Sequence, residues 1–235
     1  MPPTGAGGMT PGPVPLSQFG GPRGPKGWVA AQIVARLTGE ANRWMVDSLA
    51  VGGDDRVLDV GCGPGLAVAY AVGMTRGRVV GVDASATMVR HARRRNRAAV
   101  RSGRVEIHRA DAAKLPFPDG SFTKVVSLNS LQFWVEPDEG LRQLHRVLEP
   151  GGRVAVVLMA RSDERPGPDA PPWVDETADR MGSAGFVDLD VASRSFGGVL
   201  HRALVAARPV TKAPGKESGA PLDPTADGVR KGAGP

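Results

Sequence analysis

Two carboxylates in this chain stand where short apolar runs end, Asp59 after Val57-Leu58 and Asp83 after Val79-Val80-Gly81-Val82, and a third, Asp111, follows the alternating stretch Val105-Glu106-Ile107-His108 and Arg109-Ala110. The first is followed by glycines at alternate positions, Gly61, Gly63 and Gly65, around Cys62 and Pro64. These residue types bind ligands rather than cleave bonds. A carboxylate at a strand end accepts hydroxyl or ammonium donors, and a turn stripped of side chains lets a ligand lie against backbone amides at a helix N-terminus. The spacing separates cofactor classes. A dinucleotide fingerprint, Gly-x-Gly-x-x-Gly, puts its third glycine at position 66, where this chain has Leu66. Here the pattern is Asp-x-Gly-x-Gly-x-Gly, with the acid inside it.

That motif resembles the first motif of the class I S-adenosyl-L-methionine-dependent methyltransferases, and four further segments continue the resemblance in order. Val79-Val80-Gly81-Val82-Asp83 is a second strand ending in an acid, followed by Ala84-Ser85-Ala86-Thr87-Met88. Val105 to Ala112 is similar to the third strand and its acid. Leu115-Pro116-Phe117-Pro118-Asp119-Gly120-Ser121-Phe122 matches a segment common in the small-molecule branch, and Arg146 to Arg153 matches the turn before strand five. Together the matches cover residues 57 to 158.

The resemblance implies S-adenosyl-L-methionine as cofactor and assigns roles to residues. Gly61, Cys62, Gly63 and Gly65 lie along its methionine part, with Asp59 acting on the amino-acid end directly or through water. Asp83 takes the ribose hydroxyls beside Ala84. Met88, Asp111 and Ala112 surround the adenine. After strand four, Asn129 sits beside the sulfonium, while Gln132 and Trp134 face substrate. Each role has a structural rival. Asp59 can simply tie down the loop, Asp83 can cap a helix, and Asn129 can stabilise its own turn. Trp134 and Phe133 can pack at the rim of the core, and Cys62 reads as a small buried thiol rather than a nucleophile.

The elements that must position these residues follow from periodicity. Strands are predicted at 56–60, 78–82, 104–109, 123–128, 152–158, 186–193 and 200–206, and helices at 28–37, 41–49, 64–73, 85–101, 137–148 and 174–184. Strands alternating with helices imply an α/β fold, a mostly parallel sheet covered on both faces. The final two strands are close enough for an antiparallel hairpin. This agrees with the family's Rossmann-like domain, a seven-stranded sheet whose last strand runs antiparallel. Ligands bind such sheets at the carboxyl ends of the strands, where the strand order switches.

Composition bounds the rest. The chain has 235 residues, of which 41% are hydrophobic, diluted by 32 Gly and 21 Pro. The Gly/Pro-rich residues 1–27 and the charged tail 209–235 are expected to be disordered, leaving one domain at 28–208. A single cysteine excludes an internal disulfide or a cysteine-based metal cluster. No secretory leader or membrane span is expected, so the reading is a cytoplasmic protein, with a homodimer left open.

Residues 90–104 hold seven arginines and His91 without one acid. They read as the solvated outer face of a helix rather than an RNA-binding surface. No Asn/Asp-Pro-Pro-aromatic motif follows strand four, and no cysteine is spare for attack on a pyrimidine, which disfavours nucleic acid as substrate. None of His91, His108, His145 and His201 is nominated as a base, because displacement at a sulfonium needs positioning and exclusion of water first. The function expected is methyl transfer to a small-molecule metabolite, natural-product or quinone-like. The alternatives are an RNA- or protein-directed methyltransferase and a non-catalytic cofactor-binding module. Two departures from the family pattern stand out. Thr123 replaces the usual Asp at what reads as a loop position, and the connection 160–172 is short and Pro-rich. Residues 19–24 resemble a flap over the site.

Overall fold

The computed structural model describes residues 39–159 and 172–210. The expected helix at 28–37, the flap at 19–24, the connection at 160–171 and nearly all of both expected disordered ends lie outside those residues. After a first helix, α1 (39–48), the order is β1 (Val57–Val60), α2 (Leu66–Met74), β2 (Val79–Asp83), α3 (Ala86–Arg95), α4 (Arg97–Arg101) and β3 (Val105–Arg109). Then come β4 (Phe122–Leu128), a single 3₁₀ turn (Leu131–Phe133), α5 (Pro137–Val147), β5 (Leu148–Met159), α6 (Pro172–Ser183), β6 (Val187–Phe196) and β7 (Val199–Ala207).

The seven strands form one sheet in the order β3-β2-β1-β4-β5-β7-β6. The pairs from β3 across to β5 are parallel, while β7 runs antiparallel to both its neighbours. The order reverses between β1 and β4, which opens a crevice at their carboxyl ends. Alternate strand residues feed two core layers, as a sheet covered on both faces requires. Leu58, Val80, Val125, Val156 and Leu204 meet Leu141, Leu144 and Met181 of α5 and α6. On the other face Val57, Val79, Ile107, Val126 and Val157 meet Met45, Val68, Val89 and Ala92 of α1 to α3.

Four expectations are corrected in detail. The helix predicted over 85–101 breaks at Asn96, whose side chain is committed elsewhere. Strand five begins at Leu148 rather than 152, because Leu148 pairs with Phe122 of β4 across a shift in register. Gly151 and Gly152 continue the ladder by bonding Arg208 (Gly151 N–H to Arg208 O and Arg208 N–H to Gly152 O, both 2.9 Å). The last hairpin is tighter than predicted: Gly197 and Gly198 both have positive φ (57° and 82°), the signature of a two-residue type I′ turn. Thr123 lies in β4, inside the strand predicted at 123–128 and against its separate reading as a loop position. Its hydroxyl donates to Asp55 (2.7 Å) and accepts the Arg56 N–H (3.0 Å), stitching the entry of β1 to β4. Among the described residues no helix is long and apolar enough to cross a membrane.

Candidate functional site

The loop from Val60 to Leu66 sits at the carboxyl end of β1, and its conformation is fixed from within the chain. Gly61 and Cys62 both donate to Val82 O, each at 2.9 Å. Gly63 donates to Asp83 Oδ2 (2.9 Å) and Gly65 to Cys62 O (2.9 Å). Pro64 has no N–H to offer. The amides expected to lie bare are therefore spent on the loop itself. What remains open is the first turn of α2, which starts without a side-chain cap and without an acid to offset its dipole.

The three glycines, equivalent in the sequence, serve different purposes. A Cβ on Gly61 would collide with the Ser130 side chain, so this glycine lets the turn after β4 close onto the loop. A Cβ on Gly65 (φ +77°) would lie 2.6 Å from Asn96 Nδ2 and 3.0 Å from Ala92 Cβ, so this one lets α3 approach. At Gly63 (φ +51°) nothing stands within 4 Å. Gly63 is where the loop presents open space. Behind the loop, Asn96 is buried and its amide donates to Gly65 O (3.1 Å) and Ala92 O (3.0 Å), while Arg95 Nε donates to Pro64 O (2.9 Å).

Asp83 ties the loop to β2. One oxygen accepts from Gly63 and the other from Ser85 N–H (2.8 Å), yet each carboxylate oxygen keeps a second lone pair. Asp59 is buried, and its Oδ2 has no hydrogen-bond partner. Burial, reinforced by the neighbouring Asp83 charge, pushes its carboxyl from 3.8 up to about 8. The Cys62 thiol packs in the core beneath α2, beside Gly81, and burial raises it far above the ordinary thiol range. It offers backbone to the site and no nucleophile.

The side expected to border the adenine is more exposed. Met88 and Asp83 are half-buried and Ala84 exposed; Asp111 is exposed and accepts from Ala113 N–H (2.9 Å), with Ala112 buried behind it. Across the switch, Asn129 takes a left-handed φ of 51° and donates its N–H to Val157 O (2.8 Å), extending the β4–β5 ladder one step. Its Oδ1 is buried without a partner, as is Ser127 Oγ. Gln132 is exposed. The Trp134 ring lies against Gly140 of α5, and its Nε1 donates to Ser130 Oγ at 2.7 Å. The fold thus gathers Asp59, Gly63, Asp83 and Asn129 around the crevice, with Gln132 and Trp134 at its β4 rim.

Sequence reasoning missed Asn96, Ser130 and Ser127. An uncharged amide inside an arginine-rich helix, where asparagine is a poor helix former, was the available signal for the first. The arginines also depart from a purely solvated face. Arg93 donates twice to Ile107 O (2.7 and 3.1 Å), Arg95 holds Pro64, and Arg104 reaches Val72 O and Thr75 O. None of the histidines enters the crevice loop: His91 is exposed, His108 pairs with Glu106 (3.0 Å), His145 meets Phe186 edge-on and buried His201 meets Phe196 edge-on. Burial lowers both His145 and His201 below the usual imidazole range.

These residues fit S-adenosyl-L-methionine. Two buried oxygens without partners suit an ammonium donor, Asp83 suits vicinal hydroxyls, and Gly63 leaves room for a backbone-hugging ligand.

Comparisons with known proteins bear on the same residues. A family model described as a methyltransferase domain matches residues 58–156. The uncharacterized methyltransferase YdaC of Bacillus subtilis (strain 168) is 26% identical over 184 residues, 78% of this chain and 99% of YdaC. The ubiquinone/menaquinone biosynthesis C-methyltransferase UbiE of Pseudomonas entomophila (strain L48) is 38% identical over 122 residues, 51% of this chain and 47% of UbiE. The chain spans about half the length of UbiE and of several other curated relatives it matches. Among solved structures, the [4+2]-cyclase SpnF superimposes with a TM-score of 0.62 at 23% identity, over 73% of this chain and 82% of SpnF, a likeness of fold.

Proposed function

We infer that this chain, which belongs to the class I S-adenosyl-L-methionine-dependent methyltransferases, passes the methyl group to a small-molecule metabolite of natural-product or quinone-like type. The observation that carries the site assignment is the pair of buried, unpartnered oxygens, Asp59 Oδ2 and Asn129 Oδ1, on either side of the switch point. When bound, S-adenosyl-L-methionine supplies a methyl group already activated by its sulfonium. Asp59 and Asn129 accept from the ammonium of the methionine end, and Gly63 lets that end lie against the loop. Asp83, already oriented by two backbone amides, accepts the ribose hydroxyls with its remaining lone pairs. Met88, Ala112 and Asp111 border the adenine. The chain's task is to hold donor and acceptor in line and to exclude water; it assigns no side chain as general base.

The small-molecule reading draws on relatives whose names state such substrates and on the absence, among the described residues, of an added module beyond the sheet and its helices. Incubation with methyl-labelled cofactor and fractionated cell extract tests it. Label is expected in the low-molecular-mass organic fraction, and label confined to RNA or protein contradicts it. One observation favours a second reading, an RNA-directed enzyme. Arg94, Arg97 and Arg101 are exposed on α3 and α4 with no partner among the described residues. Tight, salt-sensitive RNA binding would support it.

A further inference from the structure

At the carboxyl end of the sheet, two strands beyond the crevice, stands a buried cation with no counter-ion among the described residues. Arg202 is 7% exposed. It lies opposite Leu158 on β5 and Ser193 on β6. Leu158 belongs to the core layer beneath α5 and α6, so Arg202 shares that face. One guanidinium nitrogen donates to Ser193 Oγ at 3.0 Å, and Nε is buried with no partner. Among the described residues no carboxylate pairs with it. Taking a guanidinium out of water without an anion costs several kcal/mol, and arginine is almost never fully buried unpaired. Packing gives no reason to keep it, since an apolar side chain would continue the core that Leu204 and Leu158 begin.

We propose that Arg202 receives an anionic group, a carboxylate or a phosphate, carried by the methyl acceptor. The inference rests on the small-molecule reading above. Asn129 joins the ladder at Val157, so Asn129, Leu158 and Arg202 occupy adjacent strands of one row. With strands about 4.8 Å apart, the Asn129 and Arg202 Cα atoms lie roughly 10 Å from one another. An acceptor whose reacting atom meets the methyl group near Asn129 would lay an apolar body across Leu158 and end at Arg202. The fork of a guanidinium takes either oxyanion through two parallel N–H bonds.

Thermal unfolding of the full chain tests this with sodium acetate and inorganic phosphate as probes, against sodium chloride at equal ionic strength. At about tenfold over the dissociation constant, one of the two probes is expected to raise the wild-type Tm by about 2–5 °C. The probe with the larger effect identifies the oxyanion. Arg202→Met is expected to lose that increment while unfolding in urea at no lower midpoint than wild type, because it removes an unpaired buried charge. Should Arg202→Met not fold, Arg202→Lys, which keeps the charge and loses the fork, is expected to show a smaller increment. Equal increments in wild type and variant, no increment with either probe, or a urea midpoint that drops in Arg202→Met would overturn the proposal. S-adenosylhomocysteine affinity is expected to be unchanged in Arg202→Met. Failure of the wild type to bind it defeats the functional reading instead, whatever the anion result.

Discussion

Facing each other across the switch in strand order, the glycine loop and the β4–β7 end of the sheet are finished to different degrees. Gly61, Cys62, Gly63 and Gly65 donate every amide inside the chain, and Asn96 and Arg95 hold the loop's carbonyls from behind. On the far side Ser127 Oγ, Asn129 Oδ1 and Arg202 Nε are buried without partners. Buried polar groups are hydrogen-bonded in the great majority of cases, so a cluster of exceptions marks where a ligand completes the structure. The glycine loop is a preformed cradle whose one unmet group is Asp59 Oδ2, and in the proposed complex Asn129 Oδ1 completes the ammonium site from across the switch. Arg202 Nε is left for the proposed acceptor, while Ser127 Oγ is enclosed within β4. The difference suggests that the shared half of the reaction is built into the fold and the specific half is left to the substrate.

The largest effect on ligand binding should come from the cradle's central acid. Asp83→Ala removes the acceptor for the Gly63 and Ser85 amides as well as the proposed ribose contact. Hydrogen bonds to a charged group are worth about 1.5–3 kcal/mol each, so S-adenosylhomocysteine affinity should fall by at least about 100-fold in calorimetric titration. A loss under threefold would mean that Asp83 only ties the loop.

The largest effect on stability is a pH dependence. Asp59 titrates at 3.8 when solvated and at about 8 in the folded chain, so the folded state holds that proton more tightly. Its effect on stability is nil below the lower value, where both states are protonated. It becomes steadily unfavourable as pH rises to about 8, by on the order of 5 kcal/mol in all. Urea unfolding should therefore show stability falling across this window in wild type, with the slope largely removed in Asp59→Asn. An identical slope in the variant would assign the dependence to other groups.

The glycines sharpen the comparison further. Gly65→Ala meets Asn96 and Ala92 at a left-handed φ, which should cost about 2–4 kcal/mol and lower Tm by roughly 5–15 °C. Gly63→Ala faces open space, so its stability loss should stay at about 1–2 kcal/mol while cofactor affinity drops at least tenfold. If the two variants behave alike, the open side of the loop is not the ligand side.

The smallest effect links the two regions. Ser130 touches Gly61 and accepts the Trp134 indole N–H. Ser130→Ala leaves that donor unpaired at a cost of about 1 kcal/mol. It should alter the acceptor KM with little change in cofactor affinity, and a reversed pattern would place Trp134 on the donor side.

Much of the donor side was legible because it is local. Asp59, the glycines and Leu66 specify strand, turn and helix within a dozen residues, and Asp83 repeats the strand-end pattern. Which glycine faces the ligand was not legible, since Ser130 and Asn96 decide it and reach the loop only through the folded sheet. The arginines are exposed as their charge predicts, but charge does not reveal that Arg93, Arg95 and Arg104 also bind backbone carbonyls of a strand, the glycine loop and a helix. Thr123 resembled a loop residue because the start of β4 depends on its bonds to Asp55 and Arg56. Arg202 lay in an apolar strand pattern, and its burial follows from pairing with both β5 and β6.

The most direct test of the central claim is a titration of the wild-type chain with S-adenosylhomocysteine at pH 7, in two buffers of different ionisation enthalpy. The account predicts micromolar binding, with an observed heat that changes with buffer as the incoming ammonium drives a proton from Asp59. No measurable binding would contradict the assignment of the cofactor. Binding without proton release would contradict the placing of Asp59 at the ammonium.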